Sequence, residues 1–151
     1  MAGEPVFIDT NVLVFASQAA RNGASSPVHE AAVRALRSFQ SAGTSLWLSR
    51  QILREYLVVV TRVQPVGSIL PVAQAIADVR RFAQLFEIAE DSSTATAKLL
   101  ELLQHIPTAG KQIHDANIVA TMLANGIRRL VTFNLADFRR FEPLIAIEPL
   151  P

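Results

Sequence analysis

The sequence contains no cysteine. Disulfide bridges, zinc sites built on thiolates and cysteine nucleophiles are therefore excluded. Long hydrophobic runs are also absent: none approaches the roughly 20 apolar residues that a membrane-spanning helix requires. The N-terminus lacks the basic and apolar regions of a secretory signal peptide. We therefore expect a soluble, cytoplasmic protein with no membrane partner.

The chain also lacks a strong net charge of either sign. The formal net charge is +1, whereas a protein that binds nucleic acid through bulk charge carries a large cationic excess. Any affinity for RNA must therefore come from local patches. Of the 14 basic residues only Lys98 and Lys111 are lysines, and arginine suits bidentate contact with phosphate. The pairs Arg80-Arg81, Arg128-Arg129 and Arg139-Arg140 fit such patches, and they fit solvated helix ends equally well.

What the chain has is apolar residues. Half of its 151 residues are hydrophobic, which is enough to bury a sizeable core, and we expect one domain over residues 1–151. Strand-like segments are separated by helical patterns, so the fold class is α/β. This alternation predicts four or five mostly parallel strands, right-handed crossovers and helices on both faces of the sheet.

The first predicted strand runs through Pro5 to Ile8 without polar alternation, as a strand buried on both faces does. Caps, turn residues and helical periodicity define the other elements. Strands are predicted at 5–8, 46–48, 86–89, 129–133 and 144–147. Helices are predicted at 10–20, 27–42, 49–60, 71–85, 92–105 and 113–124, and turns at 21–27, 64–68 and 134–138. Ser26 and Ser49 are predicted helix caps, and Asp91, Ser92 and Ser93 are the predicted caps of the helix that follows them.

Four acids lie where this fold collects functional groups. Asp9 ends the first strand, Glu55 lies early in the helix after the second, Asp115 opens the helix before the fourth, and Asp137 follows the fourth. In parallel α/β sheets ligands bind beyond the carboxyl ends of the strands. Carboxylate oxygens are the ligands that Mg²⁺ and Mn²⁺ prefer, so the pattern is consistent with a divalent metal site.

Each of these acids also has an ordinary structural explanation. Asp9 could cap a helix, and Glu55 could pair with Arg54 or Arg62. Asp115 could interact with a helix dipole and Asp137 could form a turn. Spacing alone leaves the structural explanation and the metal site equally favoured.

Four segments, taken in order, resemble the four motifs of the PIN domain. They are residues 7–12, 49–56, 114–120 and 130–138. The resemblance runs the length of the chain, whose size is most similar to the VapC-type toxins of bacterial toxin–antitoxin pairs. It implies a three-layer α/β/α fold and a Mg²⁺- or Mn²⁺-dependent endoribonuclease, in which one or two ions activate a water for in-line attack on an RNA phosphodiester.

Matched by position, the resemblance implies that Asp9, Glu55 and Asp115 are the core carboxylates and that Asp137 is the fourth acid. Many relatives carry an acid where this chain has Asn134, so Asn134, Asp137 or both would face the metal. The supporting residues implied by the motifs are Asn11, Thr132 and Asn134, with Asn11 and Thr132 bonding a metal-bound water or a carboxylate.

The remaining expectations concern the rim of the site and its partners. Lys111 and Arg54 are candidates for contact with RNA, and His114 is expected to be mainly structural. The resemblance also implies a homodimer and a small antitoxin protein that covers the acidic groove. Exposed apolar helical faces, among them residues 72–82 and 99–103, would serve such contacts.

Three other functions are alternatives to a nuclease toxin. Phosphatases with an aspartyl nucleophile carry a second aspartate two residues further on, where this chain has Asn11, and no later lysine fits their pattern. A PIN-like module could keep the fold for protein binding without catalysis, or the chain could be a nuclease that is not a toxin. Metal binding through the acids separates a nuclease from an inactive module.

Overall fold

A parallel sheet lies at the centre of the protein. The structure, a computed structural model, describes residues 3–18, 26–63 and 69–150. Its strands are β1 (Val6–Ile8), β2 (Leu46–Ser49), β3 (Glu87–Ala89), β4 (Arg129–Val131) and β5 (Ala146–Glu148). They form one five-stranded sheet in the order β3-β2-β1-β4-β5, and all four neighbouring pairs are parallel.

Helices flank this sheet, and the predicted three-layer α/β/α architecture is confirmed. Within the described ranges, none of them combines the length and apolar character needed to cross a lipid bilayer. They are α1 (Thr10–Ser17), α2 (Pro27–Ser41), α3 (Arg50–Val60), α4 (Val72–Leu85), α5 (Ser93–His105), α6 (Gln112–Ala124) and α7 (Leu135–Phe138), and a 3₁₀ turn follows at Arg139–Phe141.

Strand β1 is the centre of the core. Val6, Phe7 and Ile8 are each 0% exposed, because β2 and β4 pair with both edges of β1 and helices cover both faces. This confirms the prediction of a strand buried on both sides. The chain leaves β1 towards β2 and β3 on one side and later returns to β4 and β5 on the other. The carboxyl end of β1 is therefore the point where the strand order reverses, and Asp9 follows it directly.

Three serines begin helices as predicted. The hydroxyl oxygens of Ser26, Ser49 and Ser92 each accept a hydrogen bond from the backbone N–H three residues later, at 3.2, 3.3 and 3.2 Å. Each bond satisfies one of the free N–H groups at a helix start. The predicted cap residues thus lie at the starts of α2, α3 and α5.

Several predictions of local structure were wrong in detail. The first helix, predicted at 10–20, ends at Ser17. The fourth strand ends at Val131 rather than at residue 133, because the Thr132 hydroxyl bonds with Asp9 and the strand gives way to a turn. The predicted turn at 134–138 contains the short helix α7. The last strand begins at Ala146, since the N–H groups of residues 144 and 145 donate to the carbonyl of Phe141. Residue 71 caps α4 rather than starting it. Predictions for residues 19–25 and 64–68 lie outside the described ranges.

A buried polar contact ties α4 to α3, the helix that carries Glu55. The Tyr56 hydroxyl donates to Asp78 Oδ2 at 2.7 Å, with Tyr56 0% and Asp78 4% exposed. Gln74 Nε2 and Arg81 also donate to Asp78 Oδ1, at 3.0 and 3.3 Å. The carboxylate is buried at little cost because these donors replace its water.

Tyr56→Phe is therefore expected to lower the free energy of unfolding by about 1–3 kcal/mol, because the buried carboxylate of Asp78 loses a donor while the ring keeps its packing. Urea denaturation followed by circular dichroism would measure the change. A free energy of unfolding equal to that of the wild type would contradict the role given to this contact.

Candidate active site

Asp9 lies at the carboxyl end of β1 and caps α1. Its side chain is 6% exposed, and both of its oxygens are engaged. Oδ1 accepts from the backbone N–H of Thr10 at 2.7 Å. Oδ2 accepts from the Thr132 hydroxyl at 2.7 Å and from Asn11 Nδ2 at 3.2 Å. The carboxylate is thus held in one orientation by the first residues of α1 and by Thr132, which follows β4.

The same residues also connect the turn after β4 to the start of α1 through hydrogen bonds. Asn11 Oδ1 accepts from the backbone N–H of Phe133 at 3.1 Å, and the Thr132 oxygen accepts from the N–H of Asn134 at 2.9 Å. Thr132 is 1% exposed. Of the two roles predicted for Asn11 and Thr132, contact with a carboxylate is the one present.

Glu55 projects from α3 towards the same place. Its Oε2 accepts from the Thr10 hydroxyl at 2.9 Å and its Oε1 from Gln51 Nε2 at 2.8 Å. In the part of the chain that the structure describes, Glu55 makes no ion pair with Arg54 or Arg62. The structural alternative for this acid is therefore not found, and its charge is held by neutral donors.

Asp115 lies in the first turn of α6 and is half-buried. The pKa of Asp115 is raised to about 6, mainly by burial and also by the negative charges of Asp137, Asp9 and Glu55. The positive charge of Arg140 opposes this rise. An acid that senses three others belongs to one electrostatic cluster with them.

The same cluster is seen from Asp9. Burial raises the pKa of Asp9 to about 6, and the charges of Glu55 and Asp137 act in the same direction. Hydrogen bonds from Thr132 and Thr10 oppose the rise. Loss of water and repulsion among the acids thus outweigh these two hydrogen bonds, and the site favours an added positive charge.

Asn134 and Asp137 interact with each other. The Asn134 amide donates to Asp137 Oδ2. Asn134 lines the cleft described next, while the charge of Asp137 reaches Asp9 and Asp115. Asn134 thus contributes to the wall of the cleft, and Asp137 contributes negative charge to the acidic cluster.

Asp9, Glu55 and Asp115 line one cleft of about 560 Å³. Arg54 and Arg62 also contribute to its wall. Further lining comes from Thr10, Asn11, Val14, Phe15, Gln51, Val58, Val59, His114 and Asn134. The cleft therefore combines an acidic part with apolar and cationic walls.

The donor set fits a hard divalent cation. All four acids offer carboxylate oxygens, and mutual repulsion among them is what a divalent cation relieves. Among the described residues, however, no group of three or more acidic or histidine side chains stands ready to hold a metal ion. Binding an ion would therefore require side-chain rotation towards it.

Three polar residues of the site were not predicted from the sequence. Thr10 and Gln51 each donate to Glu55, and Asn117 Nδ2 donates to Gln51 Oε1 at 2.7 Å. Spacing could have indicated Gln51, because it precedes Glu55 by one helical turn. At the rim, Lys111 is exposed just before α6, and Arg54 and His114 are exposed along the cleft.

Comparisons with known proteins point to one family. The sequence pattern of the PIN domain matches residues 6–142. Among solved structures, the sarcin–ricin loop cleaving toxin VapC20 of Mycobacterium tuberculosis is similar, with a TM-score of 0.67, 18% identity and coverage of 97% of this chain and 99% of that one. No curated protein sequence matches this chain.

Two complexes are similar to the same degree. One is VapBC2 of Rickettsia felis bound to a promoter DNA fragment, with a TM-score of 0.66, 21% identity and coverage of 95% of this chain and 96% of that one. The other is DNA-bound VapBC of Salmonella typhimurium, with a TM-score of 0.66, 21% identity and coverage of 97% and 98%. At these identities the likeness shows the shared fold.

The raised pKa of Asp9 makes stability depend on pH. The unfolded chain releases this proton near pH 3.8 and the folded protein near pH 6, so ionisation favours the unfolded state between these values. Without metal, the wild type should lose about 2–3 kcal/mol of stability relative to Asp9→Asn as pH rises from about 4 to about 6.

Urea denaturation of both proteins in EDTA, at several pH values, would measure this difference. The comparison with Asp9→Asn removes the contributions of titrating groups that do not interact with Asp9, and the difference therefore reports Asp9 together with its coupling to Asp115. A difference in stability that stays constant from pH 4 to pH 6 would contradict the raised pKa.

Proposed function

The chain belongs to the PIN domain family, and we propose that it is a Mg²⁺- or Mn²⁺-dependent endoribonuclease that acts as the toxin of a VapBC-type toxin–antitoxin pair. One observation carries the proposal: Asp9, Glu55 and Asp115 come from three distant parts of the chain and line a single cleft. Capping, ion pairing or dipole effects would explain each acid alone, but they would not bring the three together.

In this proposal Asp9, Glu55 and Asp115 hold the metal, and Asp137 serves as the fourth acid. The bound ion would supply an activated water and stabilise negative charge at the phosphodiester. Thr132 and Asn11 keep the Asp9 carboxylate in place through their hydrogen bonds. Prior placement of this kind spares the site the cost of reorganising when RNA binds.

Binding of RNA is assigned to cations at the rim. Arg54 and Arg62 line the cleft, and Lys111 is exposed at the start of α6. Within the described ranges none of the three is held in an ion pair. Unpaired cations beside an acidic centre would contact the phosphates that flank the cleaved bond.

The proposed partners are a small antitoxin protein and a second copy of the chain. Similar structures from Rickettsia felis and Salmonella typhimurium are VapBC complexes, which supports the antitoxin. Val72 and Ile76 of α4 are 62% and 40% exposed, and Leu100 of α5 is 59% exposed. These apolar side chains support a protein contact. An RNA target would place the protein in the cytoplasm.

Induced expression in a bacterial host tests the function without knowledge of the RNA target. The wild type should arrest growth, and Asp9→Ala should not, because the site loses its most buried carboxylate. Protein levels are matched by blotting. Glu101→Gln, which changes an exposed acid paired with Lys98, is the matched control and should arrest growth as the wild type does.

Arrest by both the wild type and Asp9→Ala would show that toxicity does not need the acidic site and would refute the nuclease proposal. If no protein arrests growth, purified wild type that cleaves RNA with Mn²⁺ but not with EDTA would indicate a PIN nuclease that is not a toxin in that host. Absence of both cleavage and Mn²⁺ binding would favour an inactive binding module.

The rim cations give a separate prediction. Arg54→Ala should raise KM for RNA several-fold, leave kcat nearly unchanged and reduce the salt dependence of binding, because one phosphate contact is lost. Arg80→Ala is the matched control, since Arg80 is an exposed arginine of α4 that does not line the cleft. Cleavage rates at increasing RNA and salt concentrations provide the measurement. Equal KM values for the two variants would remove Arg54 from the binding surface.

A further inference from the structure

Gln51 lies between two of the helices that carry the acids. It occupies the first turn of α3 and is 6% exposed. Its Nε2 donates two hydrogen bonds, one to Glu55 Oε1 at 2.8 Å and one to the backbone carbonyl of His114 at 2.9 Å. Its Oε1 accepts from Asn117 Nδ2 at 2.7 Å. One side chain thus contacts Glu55 and residues on both sides of Asp115.

These partners determine how the Gln51 amide is oriented. A backbone carbonyl only accepts hydrogen bonds, so the NH₂ group must face His114, and in this orientation it also donates to Glu55. The NH₂ group of Asn117 then meets the Gln51 oxygen. A flipped amide would oppose acceptor to acceptor and donor to donor. Both amide hydrogens are used, and the side chain has one arrangement that satisfies all its neighbours.

The contact matters because α3 and α6 otherwise make little contact with each other. His114 precedes Asp115 by one residue and Asn117 follows it by two. Gln51 therefore ties the first turns of α6 to the Glu55 carboxylate. Without it, Glu55 would keep only the Thr10 hydroxyl as a hydrogen-bond donor among the described residues, and the start of α6 would lose its side-chain bonds to α3.

We propose that Gln51 is a positioning residue that keeps Glu55 beside the first turns of α6, which carry Asp115, so that both carboxylates can turn towards the same divalent cation. This role rests on the proposed metal-dependent nuclease. Gln51 itself binds neither metal nor RNA in this proposal. Residues that orient metal ligands typically contribute 10–100-fold to metal affinity, so a loss of this size is expected when the two hydrogen bonds from Nε2 are removed.

Mn²⁺ affinity measured by electron paramagnetic resonance provides a test that does not depend on catalysis. Gln51→Met keeps the length of the side chain and removes its hydrogen bonds, and it should bind Mn²⁺ about 10–100-fold more weakly than the wild type. Gln74→Met is the matched control. Gln74 also donates to an acid four residues later, Asp78, but that pair lies on α4 away from the cleft. Its Mn²⁺ affinity should equal that of the wild type.

A second readout separates positioning from a general loss of structure. If Gln51 acts on the metal through Glu55, Gln51→Met should weaken Mn²⁺ binding much less in a Glu55→Ala protein than in the wild type. Activity should fall in kcat, with KM for RNA nearly unchanged. Equal losses in both backgrounds would indicate a structural effect and refute the positioning role.

Circular dichroism and Tm would establish that each variant is folded. Should Gln51→Met fail to fold, Asn117→Ala provides the alternative, because it removes the bond that orients the Gln51 amide and should also weaken Mn²⁺ binding. Wild-type Mn²⁺ affinity in a folded Gln51 or Asn117 variant would overturn the inference and leave the nuclease proposal standing. A wild type that binds no Mn²⁺ would overturn both.

Discussion

The burial of the Asp9 carboxylate is the constraint on which the rest of the site depends. Asp9 ends a strand whose three residues are 0% exposed, so its charge cannot be solvated by bulk water. The chain supplies three donors instead, the Thr10 N–H, the Thr132 hydroxyl and the Asn11 amide. A pKa of about 6 shows that these neutral donors compensate only part of the cost. The part of this cost that the donors do not compensate favours a positive charge close to Asp9 in the cleft.

The other acids are held by the same kind of chemistry. Thr10 and Gln51 donate to Glu55, and Asn134 donates to Asp137. Had arginines paired with these carboxylates, the charges would be neutralised and a cation would gain little by binding. Hydroxyl and amide donors fix the direction of a carboxylate and leave its charge in place. The carboxylates are therefore oriented by hydrogen bonds while their mutual repulsion remains, and a divalent ion would relieve that repulsion.

The parts of this molecule that obey local rules could be predicted from sequence. A run of buried strand residues identified β1, and serine caps identified the starts of α2, α3 and α5. The end of β4 was not predicted because a distant residue determines it: Thr132 bonds to Asp9. The start of β5 was not predicted because a local turn, in which residues 144 and 145 bond to Phe141, replaces the first strand residues. The grouping of the acids followed from the strand-end rule, whereas Gln51 was missed because its partners on α6 lie more than sixty residues away.

The pairing of β1 with β4 also has a consequence for synthesis on the ribosome. Asp9 and its donor Thr132 are separated by 123 positions, so the contact closes a loop that spans most of the chain. A nascent polypeptide that has not yet released residue 132 from the exit tunnel has neither the β4 edge nor this hydroxyl, and Asp9 lacks one of its three donors. The cleft is thus completed only after residue 132 has emerged, and a chain abandoned before that point would carry Asp9 and Glu55 without an assembled centre.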